Sequence, residues 1–197
     1  MKLTRKSLFI ASMLSPLVVI NHGKAFGDPK FQGRSSYPRA ARFFLSRGYA
    51  MALPMRQGFS KSTGSYIGGG CNVGSNGAVQ ADDVKATIDY FATQPFIDKT
   101  RIIVAGQSHG GLTTMAFGAF NYPGVKGLIN FAGGLKQETC AAWESVLARA
   151  FGSYAKDTQV PSIWFYGDND SYWPKEVWQP MYGKYVENLP TTSGAKA

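Results

Sequence analysis

Arg101-Ile102-Ile103-Val104-Ala105-Gly106-Gln107-Ser108-His109-Gly110-Gly111 is the stretch whose reading decides the fold. A β-branched run reaches a glycine, turns through Gln107-Ser108, and passes into small residues ending at Gly118. Gly106 to Gly110 fits G-x-S-x-G, the nucleophile elbow, in which a strand turns sharply into a helix with the serine at the apex. Glycine on either side leaves no Cβ where strand and helix crowd together. The serine oxygen then projects above the sheet, and the helix N-terminus beneath it favours developing negative charge. In a chain with 23 glycines the bare pattern is weak, since an ordinary Gly-rich turn can also match it. The strand before it and the helix after it make it specific.

Working outward, the same alternation of strand and helix recurs. Leu17 to Ile20 is a continuous apolar run, as in a strand buried on both faces, and it ends in Asn21-His22-Gly23-Lys24. Tyr37-Pro38 opens a helix that Gly48 closes, with Ala41, Phe44 and Leu45 on its inner face. Tyr49 to Leu53 is the next strand, followed by Arg56-Gln57-Gly58-Phe59-Ser60. Residues 61–78 read as a long surface loop; their glycines follow no strand and lack the G-x-G-x-x-G spacing of a phosphate cradle. Ala81, Val84, Ile88 and Phe91 recur at helical spacing until Pro95.

Beyond the elbow, Val125 to Phe131 is a strand ending at Gly133-Gly134, and Thr139 begins a helix with Trp143, Val146, Leu147 and Ala150 inward. Pro161 to Tyr166 is a further strand ending in Gly167-Asp168-Asn169-Asp170, and Pro174 begins a last helix bearing Trp178, Met181, Tyr182 and Tyr185. The pattern implies an α/β fold: a mostly parallel central sheet of about five strands with helices on both faces. Functional residues then belong at the carboxyl ends of the strands, where His22, Ser108 and Asp170 stand.

The length of 197 residues implies one domain. The expected layout is a signal-like leader over 1–15, the domain over 16–188 and a polar tail over 189–197. Lys2, Arg5 and Lys6 before Ser7-Leu8-Phe9-Ile10 give the start a charged-then-apolar character, without a clear A-x-A site. A mature core segment is the other reading, and the apolar stretch is too short for a stable membrane span. The net charge of +9 is scattered, with no run of five or more basic residues, so it reads as a solvated surface and not as a nucleic-acid site. Two separated histidines, His22 and His109, and no acidic ligand cluster make a poor metal site, and nothing calls for a cofactor.

The strand ending in Asn21-His22-Gly23, the Arg56-Gln57-Gly58-Phe59-Ser60 turn, the elbow and Gly167-Asp168-Asn169-Asp170 together resemble the α/β-hydrolase superfamily, and within it dienelactone-hydrolase-like esterases. The resemblance implies Ser108 as nucleophile, Asp170 as triad acid (Asp168 being the alternative), and the backbone N–H groups of Lys24 and His109 as the oxyanion hole. It implies hydrolysis of a small-molecule carboxylic ester through an acyl-enzyme. The superfamily's triad runs Ser, acid, His, yet no histidine follows His109. On this reading the chain looks shortened at both ends, with activity very low; a catalytically inactive, ligand-binding relative is the alternative. His22 is either a structural histidine or, less in keeping with the resemblance, the base.

The superfamily's strand order would run Tyr49–Leu53, Leu17–Ile20, Arg101–Ala105, Val125–Phe131, Pro161–Tyr166. That leaves the last strand as an open edge, a template for edge-to-edge dimers. Cys71 and Cys140 both follow carboxyl ends of strands, so they can meet as a disulfide; two free thiols are the other outcome. With a signal-like leader the disulfide reading points to a periplasmic or secreted protein, and otherwise to a cytoplasmic one.

Overall fold

Five parallel strands form one sheet in the order β2-β1-β3-β4-β5 in the computed structural model, which describes residues 14–191. They are β1 (Ser15–Asn21), β2 (Ala50–Ala52), β3 (Ile97–Gln107), β4 (Val125–Phe131) and β5 (Ser162–Phe165). This is the side-by-side order expected from the sequence, and every pairing is parallel. The fold is a partial α/β-hydrolase fold. β1 and β3 are the central pair, with Leu17 opposite Ile102 and Asn21 opposite Gly106. Their apolar runs follow from that position. A strand flanked on both sides and covered on both faces has no polar surface to offer, and Leu17, Val18 and Val19 are fully buried.

Among the described residues four α-helices connect the strands, α1 (Pro38–Leu45), α2 (Val73–Ala92), α3 (His109–Gly118) and α4 (Trp143–Ala155), and a fifth, α5 (Lys175–Asn188), follows β5. They divide unequally between the two faces. The larger core packs Leu17, Val19, Ile102 and Val104 against Val84 and Ile88 of α2, Leu112 and Met115 of α3, and Phe151 of α4. Met181 and Tyr185 extend it into α5. The smaller core holds Val18, Ile20 and Ala105 against Tyr37, Ala40 and Phe44 beside α1. Ile163, Phe131 and Phe165, on β5 and the end of β4, remain about half exposed, and the last two rings stack at 5.2 Å.

Four element expectations differ from the structure. Residues 73–78 are the first turns of α2 and not loop, although two of them are glycine. Packing overrides the local preference: a Cβ on Gly77 would crowd Tyr154 and Leu112, so glycine there allows α2 to lie close against its neighbours. The helix expected from Thr139 begins at Trp143. The segment before it is held by the Cys71–Cys140 disulfide, with Cα atoms 5.0 Å apart. In α1, Phe44 faces inward, but Leu45 is 56% exposed because its side of the helix meets solvent. Leu189, placed in the polar tail, packs against the larger core.

Residues 1–13, which hold nearly all of the signal-like leader, and residues 192–197 of the tail lie outside the described residues. Ser15, the last residue assigned to the leader, opens β1. Among the described residues no helix is long and apolar enough to cross a membrane.

Candidate active site

The elbow forms where β3 meets α3. Ser108 occupies the turn with φ 53° and ψ −124°, a left-handed backbone that a residue with a side chain adopts only when its surroundings impose it. The imposing contacts are visible. The Ser108 N–H donates to the carbonyl of Phe131 at 3.0 Å, and the Ser108 carbonyl accepts from Gly111 at 2.8 Å and Gly134 at 3.0 Å. The flanking glycines have the steric role expected of them. A Cβ on Gly106 would run into the Gly110 carbonyl, and one on Gly110 into the carbonyls of Asn21 and His22. Chain crossings this close leave room for no side chain.

Ser108 opens into a cleft of about 690 Å³ above the sheet, lined also by Lys24, Tyr66, Gln137, Asp170, Tyr172 and Trp173. Asp170 therefore reaches the same cleft as Ser108. Its Oδ1 accepts the N–H groups of Tyr172 at 2.8 Å and Trp173 at 3.0 Å, which fixes the carboxylate as the cap of its own turn. Asp168 is exposed and does not line the cleft. The loop carrying Lys24 passes close to the elbow: a Cβ on Gly23 would stand 3.3 Å from the Cβ of Ser108. Among the described residues the backbone N–H groups of Lys24 and His109 donate to no protein group. His109 N is the first amide of α3, one of the orphan donors that every helix start leaves. The Lys24 ammonium is turned aside onto the carbonyls of Ala25 at 3.0 Å and Gly27 at 2.9 Å.

Both histidines are spoken for. His22 Nδ1 donates to the Gly23 carbonyl at 2.8 Å, which can only accept, so Nε2 is the free-lone-pair nitrogen and takes the Arg56 N–H at 3.4 Å. His109 Nδ1 faces the Arg56 guanidinium at 2.9 Å, which can only donate, so its proton sits on Nε2 and goes to Asn76 Oδ1. Burial and the Arg56 charge push His22 down to about 4 and His109 well below the usual imidazole range. Both imidazoles are neutral, with no nitrogen left over, and neither hydrogen-bonds Ser108.

Sequence reasoning missed Arg56 as an organiser. It stood in the Arg-Gln-Gly turn, but its complete burial could not be read from the turn. It also missed the wall residues Tyr66, Tyr172 and Trp173, which look like ordinary loop aromatics until the loops close over the elbow. The disulfide between Cys71 and Cys140 ties two of those loops together, with Gly70 N–H donating to Thr139 Oγ1 at 2.9 Å beside it.

Residues 36–151, which include the elbow, match the model of the prolyl oligopeptidase family. The chain belongs to the prolyl oligopeptidase family. Lys24 and Asp170 lie outside the matched segment. The prolyl oligopeptidase family has the same superfamily fold that the dienelactone-hydrolase resemblance implied. Acylamino-acid-releasing enzyme 1 of Oryza sativa subsp. japonica is 30% identical over 119 residues, 57% of this chain and 14% of that enzyme. This prolyl oligopeptidase-family chain thus matches a small part of its relative's length. Among solved structures, Est1E from Butyrivibrio proteoclasticus, determined with ferulic acid bound, superposes with a TM-score of 0.61 at 20% identity, covering 90% of this chain and 78% of that one. The acylaminoacyl peptidase of Pyrococcus horikoshii gives 0.65 at 17% identity, covering 90% of this chain and 31% of that one. At those identities the likeness concerns the fold.

Proposed function

We propose that this chain hydrolyses small activated carboxylic esters at a trace rate, with Ser108 as the nucleophile. One observation supports the reading above others: a strained serine opens into a cleft beside two backbone N–H groups that have no protein partner among the described residues. Ser108 Oγ attacks the acyl carbon. The carbonyl oxygen, now an oxyanion, accepts from the N–H groups of Lys24 and His109, the alcohol leaves, and water releases the acyl group. Asp170 borders the same space and is the acid of the site. Neither imidazole can take the serine proton, so water must take it, and the hydroxyl is a weak nucleophile.

The same fact selects the leaving group. A phenolate departs without being protonated, whereas an amine needs a proton from a positioned acid. Aryl esters are therefore preferred to the amide bonds that the relatives' names suggest. Catalysis without the base is about 10³–10⁴-fold over water, the level that an oxyanion hole and binding supply. A fluorophosphonate probe should label the chain slowly, and Ser108→Ala should remove both label and ester turnover. Label that persists in Ser108→Ala would place the nucleophile elsewhere. The tied histidines favour one second reading, an inactive relative that binds a small carbonyl or carboxylate ligand in this cleft; ligand binding without Ser108-dependent turnover would establish it. The disulfide and the charged-then-apolar start support a periplasmic or secreted setting.

A further inference from the structure

Arg56 is completely buried, and no carboxylate forms an ion pair with it among the described residues. Its Nη1 has no hydrogen-bond partner among the described residues. Burying a cation without a paired charge is costly, and the charge of Asp83, which forms no ion pair with Arg56 among the described residues, offsets this only in part. What the guanidinium holds distinguishes it from a packing residue. Its Nη2 donates to the carbonyl of His22 at 2.7 Å and to His109 Nδ1 at 2.9 Å. His22 lies two residues ahead of Lys24, and His109 is itself the other residue whose N–H opens beside Ser108. The two halves of the oxyanion site come from the ends of different strands, β1 and β3. One nitrogen bridges them.

We propose that Arg56 is the positioning residue of the oxyanion site, clamping the Lys24 and His109 N–H donors into register from behind. This rests on the assignment of Ser108 as nucleophile and of those two amides as its oxyanion donors. The rest of the guanidinium's surroundings fits a fixed clamp. Its Nε donates to Gln80 Oε1 at 2.8 Å, and Gln80 Nε2 donates on to the Gln57 carbonyl at 3.1 Å, which sets the plane of the fork from α2. The ring of Phe59 lies 4.6 Å from that of His22 and 5.6 Å from that of His109, closing the cluster against water. The guanidinium charge also sits against His22 and His109, and its field favours a developing oxyanion. A lysine cannot take this role, because a single ammonium lacks the planar fork that spans Gln80, His22 and His109 together.

The test follows labelling of the full chain by a fluorophosphonate over a range of probe concentrations. This separates the bound-state rate of phosphonylation, kinact, from the concentration for half-saturation, KI. The tetrahedral adduct forms in the kinact step, so loss of donor register lowers kinact and leaves KI alone. Two variants are compared with the unsubstituted chain. Arg56→Lys keeps a cation and loses the fork. Gln80→Glu keeps the size of the side chain and the acceptor for Arg56 Nε, loses the donation to the Gln57 carbonyl that sets the plane of the fork, and places a carboxylate on the guanidinium. We expect kinact to fall about 10- to 100-fold in Arg56→Lys, less than the roughly 10²–10³-fold seen when an oxyanion donor is removed outright, and several-fold in Gln80→Glu, with KI within twofold in both. A purely structural Arg56 would lower the melting temperature and the fraction labelled, with kinact of the folded fraction unchanged; that result overturns the proposal. Should Arg56→Lys fail to fold, Gln80→Glu decides alone, since kinact within twofold of the unsubstituted chain overturns the proposal there too. Label that survives Ser108→Ala overturns the underlying assignment instead, so the two failures are distinguishable.

Discussion

Ser108 and the two histidines make the most instructive comparison in the molecule. Ser108 and His109 are adjacent in sequence, and His22 directly follows β1, the strand beside β3, yet their fates are opposite. The serine is half-buried at the cleft with its hydroxyl unengaged. The imidazoles are buried with both nitrogens of each committed to Arg56, Asn76 and the Gly23 carbonyl. Residue type therefore does not assign chemistry. The serine is available because a left-handed backbone lifts it out of the sheet. The histidines are unavailable because the chain supplies each ring nitrogen with a partner, and a neutral, fully bonded imidazole has no lone pair with which to accept the serine proton.

The comparison can be broken most severely at the elbow. Gly110→Ala forces a Cβ into the Asn21 and His22 carbonyls, which belong to backbone and cannot step aside. Overpacking of this kind costs about 3 kcal/mol or more, and β1 and β3 would have to separate. We expect loss of cooperative unfolding by circular dichroism together with loss of labelling. A stable, labelled Gly110→Ala chain would show that the elbow is looser than it stands here.

The cleft side can be loosened separately. Cys71 and Cys140 are 69 residues apart, and closing a loop of that length stabilises by about 4 kcal/mol in the chain-entropy account. Reduction, or Cys71→Ser with Cys140→Ser, should lower the thermal midpoint by many degrees while leaving the buried histidine cluster's contacts in place. An unchanged midpoint would show that the strap contributes little.

The histidine side is exposed by acid. Burial and Arg56 hold His22 at about 4 in the folded chain against 6.5 for a free imidazole, so the unfolded state binds the proton more tightly. The stability this contributes is fully present above pH 6.5 and is lost as pH falls through about 4. For His22 alone that amounts to about 3 kcal/mol, and His109 acts in the same direction. Denaturant unfolding between pH 7 and 4 should show the decline. Ester turnover or labelling should show no inflection near neutrality, because no imidazole titrates there. A bell-shaped profile centred near pH 7, abolished by His22→Ala, would make His22 the base.

The smallest expected effect lies at the sheet's edge. β5 closes the sheet order with one unpaired side, and Ile163 and Phe165 are about half exposed on it. Edges of this kind template pairing. We expect a concentration-dependent dimer by sedimentation, which Ile163→Lys should suppress. A monodisperse monomer at millimolar concentration would refute it.

Local spacing was enough to read the five strands and the elbow, because a buried parallel strand must be apolar throughout and a strand-to-helix crossing this close must be glycine; the order of the strands came from the superfamily resemblance. Asp170 was legible as a residue at a strand's carboxyl end, and its arrival in the Ser108 cleft follows from topology. The first turns of α2 were not legible, since Gly74 and Gly77 oppose helix locally and only packing against Leu112 and Tyr154 accounts for them. Arg56 was equally hidden. Nothing in Arg-Gln-Gly states that a cation will be buried, because burial is decided by partners 24 to 53 positions away at Gln80, His22 and His109. The sequence by itself determined the sheet, the strained serine and the two cysteines within reach of each other. The tertiary structure alone decided which polar groups stay free, because a hydrogen-bonding group is left available only when the folded chain brings it no partner.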